Sequence, residues 1–134
     1  MSTLSVEMVN CIEQLCKEHG GEVQVIVDAV KLGRCDVEPI VVNGEVAGVI
    51  HYTAVSGKIV PHFAVQRRFF GKTLDSTKTA LQRIASKNGI DVFESFIPEA
   101  NRLCISYVRR LGWKHLYTSY IPTFGTCLTF RGEV

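Results

Sequence analysis

The 134 residues of this chain include 46% apolar and 21% charged residues, a composition typical of globular proteins and unlike that of disordered chains. The length suits one domain over residues 1–134, and the formal charge of +2 gives no general argument for nucleic-acid binding. Five cysteines without a Cys-x-x-Cys pair predict reduced, buried thiols rather than a disulfide framework or a metal site.

The N-terminal residues carry neither the basic start nor the apolar stretch of a signal peptide. No run of the chain approaches the roughly 18 apolar residues of a membrane span. We therefore expect a soluble protein that is not secreted and stays in the cytoplasm in which it is made.

Two helices are predicted before the first strand. Residues 4–19 place apolar side chains at helical spacing, and the pair Gly20-Gly21 provides a stop. Residues 23–32 are rich in valine and isoleucine and could form a strand, but these residues repeat at helical spacing before Gly33. We therefore predict a second helix there.

Three strands are predicted next. Residues 39–42 and 46–55 are rich in β-branched residues and are joined by Asn43-Gly44, a strong hairpin signal. Ser56-Gly57 forms another turn, and residues 58–65 read as the third strand. These strands should pair in sequence as an antiparallel meander.

The rest of the chain alternates helices and strands. Its predicted elements are a helix over 74–88 stopped by Gly89, a strand over 90–97, a helix capped by Asn101 and ended by Gly112, and strands over 113–124 and 126–130. A meander followed by strand–helix–strand needs a right-handed crossover. The predicted fold class is therefore α/β, with a mixed (α+β) sheet and helices on both faces.

The segment from Asn101 to Trp113 resembles a motif of the GNAT (Gcn5-related N-acetyltransferase) superfamily, Asn-x-x-Ala-x-x-x-Tyr-x-x-Leu-Gly-Phe. Asn101, Leu111, Gly112 and the aromatic Trp113 coincide with it. The resemblance covers about residues 38–130. It implies a single GNAT-like domain, in which an antiparallel meander precedes a βαβα half, and an acyl-CoA N-acyltransferase ancestry.

The loop before the central helix resembles the family's pyrophosphate-binding pattern, Gln/Arg-x-x-Gly-x-Gly/Ala. If Gly71-Lys72 is aligned with the usual Gly-Lys, the later small positions fall on Thr73 and Asp75. If the pattern begins at Arg68, only Thr73 departs from it, but the turn between strand and helix becomes short. If acetyl-CoA is bound, the resemblance implies contacts from a set of loop and cap residues: Arg67, Arg68, Gly71, Lys72, Thr73 and Asn101.

Candidates for catalysis are few. The family's acidic tyrosine falls on Val108, and Tyr107 lies one residue, or roughly 100°, away around the helix. His51 and His62 on adjacent strands and Glu94 on the following strand could face one cleft and supply a base. A strand histidine is more often packed or solvated, and Glu94 also suits a polar face. The candidates are therefore Glu94, His62 and Tyr107.

Other features of the loop and the C-terminal helix leave two interpretations open. Phe69-Phe70 indicates either insertion into the core or a partner surface. The basic groups around Arg67 and Arg102 could form a nucleic-acid surface, but a solvated helix face is more usual.

Thr73, Asp75 and Val108 favour a GNAT-fold protein that has lost catalysis. The short chain and its basic-aromatic loop resemble the small GNAT-like proteins of tailed bacteriophages, including head-assembly and internal virion proteins. That resemblance implies a structural, assembly or DNA-ejection role without a cofactor, with phage particle proteins as partners and no sequence-specific nucleic acid. It also implies a location in the host cytoplasm and the virion. The alternative is an acetyl-CoA-dependent N-acetyltransferase acting on an unidentified amine.

Overall fold

A computed structural model of the protein describes residues 4–19 and 21–134. The elements in chain order are α1 (Val6–His19), α2 (Val23–Lys31), β1 (Asp36–Val42), β2 (Glu45–Val55), β3 (Lys58–Val65), a 3-10 turn (Arg67–Phe69), α3 (Leu74–Asn88), β4 (Val92–Pro98), α4 (Arg102–Arg110), β5 (Lys114–Ile121) and β6 (Gly125–Glu133). None of the helices described is long and apolar enough to cross a membrane.

The strands form one mixed sheet in the order β1-β2-β3-β4-β6-β5. The predicted meander is confirmed, because β1, β2 and β3 pair antiparallel in sequence. Asn43 and Gly44 both adopt positive φ, at 49° and 80°, as the predicted tight hairpin requires. The α3 crossover makes β3 and β4 parallel, and β6 then pairs antiparallel with both β4 and β5. The predicted fold class is therefore confirmed.

Helices pack on both faces of the sheet. We call the face that carries α1 and α2 the front face, and the face that carries α3 and α4 the back face. The front core joins α1 and α2 to Val37, Val49 and Ala64. The larger back core joins α3 and α4 to the sheet through residues that include Ile50, Ile59, Phe93 and Phe130. The second helix, α2, is confirmed, and all five cysteines are free thiols.

Two element boundaries depart from prediction, one because of a local helix cap and the other because of strand pairing. Helix α1 begins later than expected, because Ser5 Oγ accepts from the Met8 amide at 3.2 Å and caps it. Its predicted stop at Gly20 lies outside the described residues. The last strand extends to Glu133 because it pairs along the whole of β4. At Gly132, a Cβ atom would lie 2.2 Å from the ring of Trp113, so glycine lets this ring lie flat on β6.

Candidate functional site

The sheet splits between its two parallel strands. β3 and β4 share one paired position, Ile59 with Phe93, and separate towards their C-terminal ends. Pro61 has no N–H group to continue the ladder. Its carbonyl instead accepts a hydrogen bond from Ser95 Oγ at 3.0 Å. The split is therefore built into the sequence of β3, and it opens at the end where ligands of parallel sheets commonly bind.

Beyond Ile59, the backbone groups of β3 that face the split have no strand partner in the described part of the chain. Because the Pro61 carbonyl is directed towards β4, the alternation of a strand directs the N–H and C=O groups of Phe63 the same way. The pair that joins β3 to β4, Ile59 with Phe93, lies four residues before Phe63 and does not involve these groups. The next carbonyl, that of Val65, accepts from Gln14 Nε2 at 2.9 Å. The split thus offers one donor and one acceptor to an extended ligand.

The loop of residues 66–73 joins β3 to α3 at the mouth of the split. Gln66 anchors its start, with its amide donating to Ala47 O at 2.8 Å and its side chain to Val46 O at 2.7 Å. Phe69 is buried in the back core, whereas Phe70 is 48% exposed. Insertion into the core is therefore confirmed for Phe69, while a partner surface at Phe70 stays a prediction.

The position of Thr73 favours the loop register that begins at Arg68. Thr73 is the N-cap residue of α3, so Gly71 and Thr73 both precede the helix, while Asp75 lies inside its first turn. Eight residues separate β3 from α3, and the expected shortening of the turn does not occur. Gly71 adopts a φ of 82°, and a Cβ atom added to it would meet no other atom within 4 Å, which leaves room for close approach to the backbone.

The first turn of α3 is left without acceptors. The Thr73 side chain does not cap the helix, and the first amide to bond back is that of Thr77, to Thr73 O at 2.8 Å. Among the described residues, nothing accepts from the amides of Leu74, Asp75 and Ser76. Unpaired N–H groups at a helix N-terminus carry partial positive charge and attract anions.

Tyr107 explains why Thr73 does not act as a cap. The Tyr107 hydroxyl lies 2.9 Å from Thr73 Oγ1 and also bonds Thr77 Oγ1. Its ring meets the edge of Phe63 with 5.7 Å between centroids, and burial raises the pKa of Tyr107. Val108, at the family's tyrosine position, is fully buried in the core. Tyr107 therefore fills the space between β3 and the start of α3, a contact that sequence reasoning missed.

The predicted cofactor-binding residues are only partly gathered at the loop. Arg68 is engaged, since its NH1 lies 3.3 Å from Glu45 Oε2 and its guanidinium lies 4.3 Å from the Phe69 ring centroid. Arg67 and Lys72 are exposed and form no ion pair within the described chain. Asn101 caps α4, where its Oδ1 accepts from the Cys104 amide at 3.2 Å.

The two strand histidines form a pair on the front face. His51 and His62 lie directly opposite each other on β2 and β3, with ring centroids 5.8 Å apart and planes inclined by 25°. His51 Nε2 is buried and has no hydrogen-bond partner among the described residues, and burial lowers the pKa of His51. The His51 ring is therefore neutral at pH 7.

Glu94 shares this face but is held in ion pairs. Its Oε1 lies 2.9 Å from Lys58 Nζ and its Oε2 lies 3.4 Å from Arg131 NH2, with 12% of its side chain exposed. The three catalytic candidates therefore differ in position and in the partners of their side chains. His62 lies beside the split on the front face, Tyr107 fills it on the back face, and Glu94 is already neutralised.

Solved structures share this architecture. An acetyltransferase from Salmonella typhimurium that modifies the N-terminal serine of a 50S ribosomal subunit protein aligns with a TM-score of 0.71 and 15% identity, covering 94% of this chain and 89% of the other. A Bacillus subtilis acetyltransferase in complex with CoA gives 0.65 and 14%, covering 99% and 95%. The fold is that of the GNAT acetyltransferases.

A third solved structure has the same fold. The microcin self-immunity acetyltransferase MccE, in complex with acetyl-CoA and AMP, aligns with a TM-score of 0.65 and 11% identity, covering 94% of this chain and 88% of the other. No protein-family profile matches the sequence, and no curated protein matches it significantly. A likeness to virion proteins is not among these findings. Identities this low establish a common fold and not a common activity.

Proposed function

We propose that this GNAT-fold protein is an acetyl-CoA-dependent N-acetyltransferase. The observation that carries the proposal is the meeting of the split sheet with the uncapped start of α3. Coenzyme A joins a diphosphate to an extended arm that contains two amides. The free amides of Leu74, Asp75 and Ser76 suit the diphosphate, and the backbone of Phe63 suits an amide of the arm.

The charged side chains of the loop also support a site for the CoA diphosphate at the start of α3. Arg67 and Lys72 are exposed cations in the loop without ion-pair partners in the described chain, and Gly71 permits close approach of a ligand to the backbone. Asp75 adds one negative charge to the first turn of α3 and weakens the attraction. We therefore expect binding that is weaker than an intact loop would give.

The chemistry requires a neutral amine and a route for its proton. The amine nitrogen attacks the thioester carbonyl carbon, so that a C–N bond forms and the C–S bond breaks, and the thiolate then takes a proton. We assign His62 as the base that takes the proton of the amine, because it is exposed beside the split. His51, neutral and stacked behind His62, is assigned as its positioning residue. With Val108 in the tyrosine position, the thiolate takes its proton from water.

The solved relatives support the class of ligand. One is a complex with CoA and another is a complex with acetyl-CoA and AMP. These ligands belong to those proteins, and their relevance here rests on the shared fold together with the local geometry of residues 61–77.

Calorimetry on the purified protein tests the proposal. We expect CoA and acetyl-CoA to bind, and Lys72→Glu to weaken binding about tenfold, because a charge near the diphosphate is reversed. Lys31→Glu is the matched control, since Lys31 is an exposed lysine at the end of α2, on the other side of the sheet. Absence of binding by the unaltered protein at millimolar CoA would contradict the proposal.

One observation favours a second candidate, a GNAT-fold structural protein without catalysis. Tyr107 fills the cleft and engages both Thr73 and Thr77, and Val108 removes the family's acid. Such a protein would act through protein partners, as phage particle components do. Failure to bind CoA, together with co-purification with particle proteins, would favour this candidate.

A further inference from the structure

Half of the front face of the sheet is not covered by a helix. In the described chain, α1 and α2 pack on β1, β2 and β3. The front-face side chains of β4, β6 and β5 form what we call the open front surface. Phe96 on β4 is 46% exposed and Tyr117 on β5 is 53% exposed. Thr129 between these two half-exposed rings is buried, so the rings supply only the apolar part of a candidate surface and the charges beside them must supply the rest.

The two rings belong to one row across the strands. Phe96 pairs with Thr129 of β6, and Thr129 pairs with Tyr117 of β5, so the three side chains lie side by side on one face. Counting three residues beyond the paired Ile59 and Phe93 brings His62 level with Phe96 across the split. The aromatic row therefore begins next to the residue assigned as the base.

A cationic row lies next to the aromatic row on the same face, two residues away along β4 and β6 and three along the bulged β5. Glu94 pairs with Arg131, and Arg131 pairs with Lys114. Two like charges directly opposite each other on adjacent strands are destabilising. Glu94 already binds Lys58 and Arg131, while Lys114 has no ion-pair partner among the described residues. Three cations against one carboxylate leave this row with a net charge of +2.

The neighbouring charges do not neutralise this row. Glu133, the next acidic residue along β6 on the same face, is exposed and lies opposite Val92. It makes no ion pair with any described residue. The distance between successive rows on one face of a strand is roughly 7 Å. Arg131 and Lys114 also lie two and three strands across the sheet from His62, at about 4.8 Å per strand. An anion on them would therefore lie roughly 12–16 Å, or about four to five extended peptide residues, from an amine at His62.

We infer that the acceptor is the amino terminus of a peptide or protein that carries an aspartate or glutamate within its first few residues. This inference rests on the proposed function. The chain would lie over Phe96 and Tyr117, with its carboxylate on Lys114 and Arg131 and its amine at His62. The surface is open rather than enclosed, which suits an extended chain better than a small molecule, whose sites usually bury most of the ligand. Its positive charge disfavours a polyamine.

Two matched probes test this choice. They are synthetic hexapeptides with a free amino terminus and a C-terminal fluorescein, of sequence Ser-Ala-Asp-Asp-Ala-Gly and Ser-Ala-Lys-Lys-Ala-Gly. Fluorescence anisotropy at low salt measures binding of each to the intact protein. We expect the acidic peptide to bind at least about fivefold more tightly, as expected for exposed charge pairs. Lys114→Glu should abolish or reverse that preference, whereas Lys31→Glu should leave it unchanged.

A second variant distinguishes the contribution of the aromatic rings to peptide binding from that of the charged side chains. Phe96→Ala should weaken both peptides while the acidic one stays preferred. Thermal unfolding of each variant checks that it is folded. Equal affinity for the two peptides, or a preference for the lysine peptide or for spermidine, would overturn the inference.

Measuring both CoA binding and peptide preference distinguishes failure of this inference from failure of the proposed function. If CoA does not bind but the acidic peptide is still preferred through Lys114, the acetyltransferase proposal fails and the peptide surface stands. If CoA binds and the charge of the peptide has no effect, the acceptor inference alone fails. If both bind, mass spectrometry after addition of acetyl-CoA should find an acetyl group on the acidic peptide in preference to the lysine peptide.

Discussion

The two ends of α3 are finished in opposite ways. At the C-terminal end, Gly89 takes a left-handed φ of 62° and its amide caps Ala85 O, while Asn88 Nδ2 donates to Ile84 O at 2.8 Å. At the N-terminal end, the Thr73 hydroxyl contacts Tyr107, and the first amides of the helix have no acceptor among the residues that the structure describes. The C-terminal end of α3 is therefore capped by protein groups, and we call it the closed end. The N-terminal end, beside the split, has unpaired amides, and we call it the open end.

Side-chain charge follows the same division. Near the closed end, the buried Glu38 of β1 receives Arg83 Nε at 3.1 Å and Lys87 Nζ at 2.7 Å. Near the open end, Lys72 has no such partner in the described chain. The two cations that join α3 to β1 are paired with a carboxylate, whereas Arg67 and Lys72 beside the split have no ion-pair partner in the described chain.

The largest effect is expected at the closed end. Glu38→Gln removes the carboxylate that joins β1 to α3 and leaves Arg83 and Lys87 without their partner. We expect the free energy of unfolding, measured in urea, to fall by about 2 kcal/mol, as for the loss of hydrogen bonds to a charged group. The loss is smaller than for a fully buried pair because water can solvate the half-exposed Arg83 and Lys87. Affinity for CoA should not change.

Glu22→Gln is the control for this variant, because Glu22 is exposed and its side chain does not cap α2. It should leave both stability and CoA affinity as they are. If Glu38→Gln weakened CoA binding while the protein stayed folded, the two ends of α3 would not be independent.

At the open end, Tyr107→Phe should have a smaller effect, with opposite signs for stability and binding. The variant loses the hydroxyl contacts with Thr73 and Thr77, so the free energy of unfolding should fall by about 1 kcal/mol. Tyr107 fills the space between β3 and the start of α3, so under the proposed function we expect CoA to displace its ring. Without the hydroxyl contacts that hold the ring in place, CoA should bind about fivefold more tightly. Calorimetry and urea unfolding measure the two quantities.

Weaker CoA binding by Tyr107→Phe would mean that the Tyr107 hydroxyl contacts the ligand directly. Tyr117→Phe is the matched control, since Tyr117 is an exposed tyrosine on β5. It should leave the affinity for CoA unchanged.

The smallest effect concerns His51 and the pH dependence of stability. Burial lowers the pKa of His51 below its ordinary value of 6.5. Below about pH 6.5, the unfolded chain binds a proton that the folded protein does not, so stability falls as the pH falls from 6.5 towards the folded pKa. His51→Gln should flatten this part of the profile of unfolding free energy against pH. A profile identical to that of the unaltered protein would mean that folding does not change the pKa of His51.

Short sequence patterns were enough to predict most of the helices, strands and turns. The Asn43-Gly44 hairpin, the strand of residues 58–65 and the Gly89 stop are each specified by a few neighbouring residues, and all three are found as predicted. The pairing of His51 with His62 was also within reach, because the two-residue turn at Ser56-Gly57 sets the register of β2 and β3.

The contacts that shape the site depend on residues far apart in the chain. Tyr107 meets Thr73 from a position 34 residues away, and nothing in the helical pattern of α4 indicates which neighbour it will touch. The effect of Pro61 depends on whether β3 is an edge or an interior strand, which is decided by the position of β4. Phe69 and Phe70 are adjacent and chemically equal, and only the three-dimensional fold separates them.

Pro61 also has a consequence for cooperativity. With one paired position between β3 and β4, the sheet consists of two three-stranded units held together chiefly by the back core. A ligand that bonded to both sides of the split would act as a removable strand and couple the two units thermodynamically. Its concentration would then set part of the stability of the whole domain, about 2.7 kcal/mol at roughly one hundred times its Kd. The absence of an N–H group at Pro61 would thus make the stability of the folded domain depend on ligand concentration.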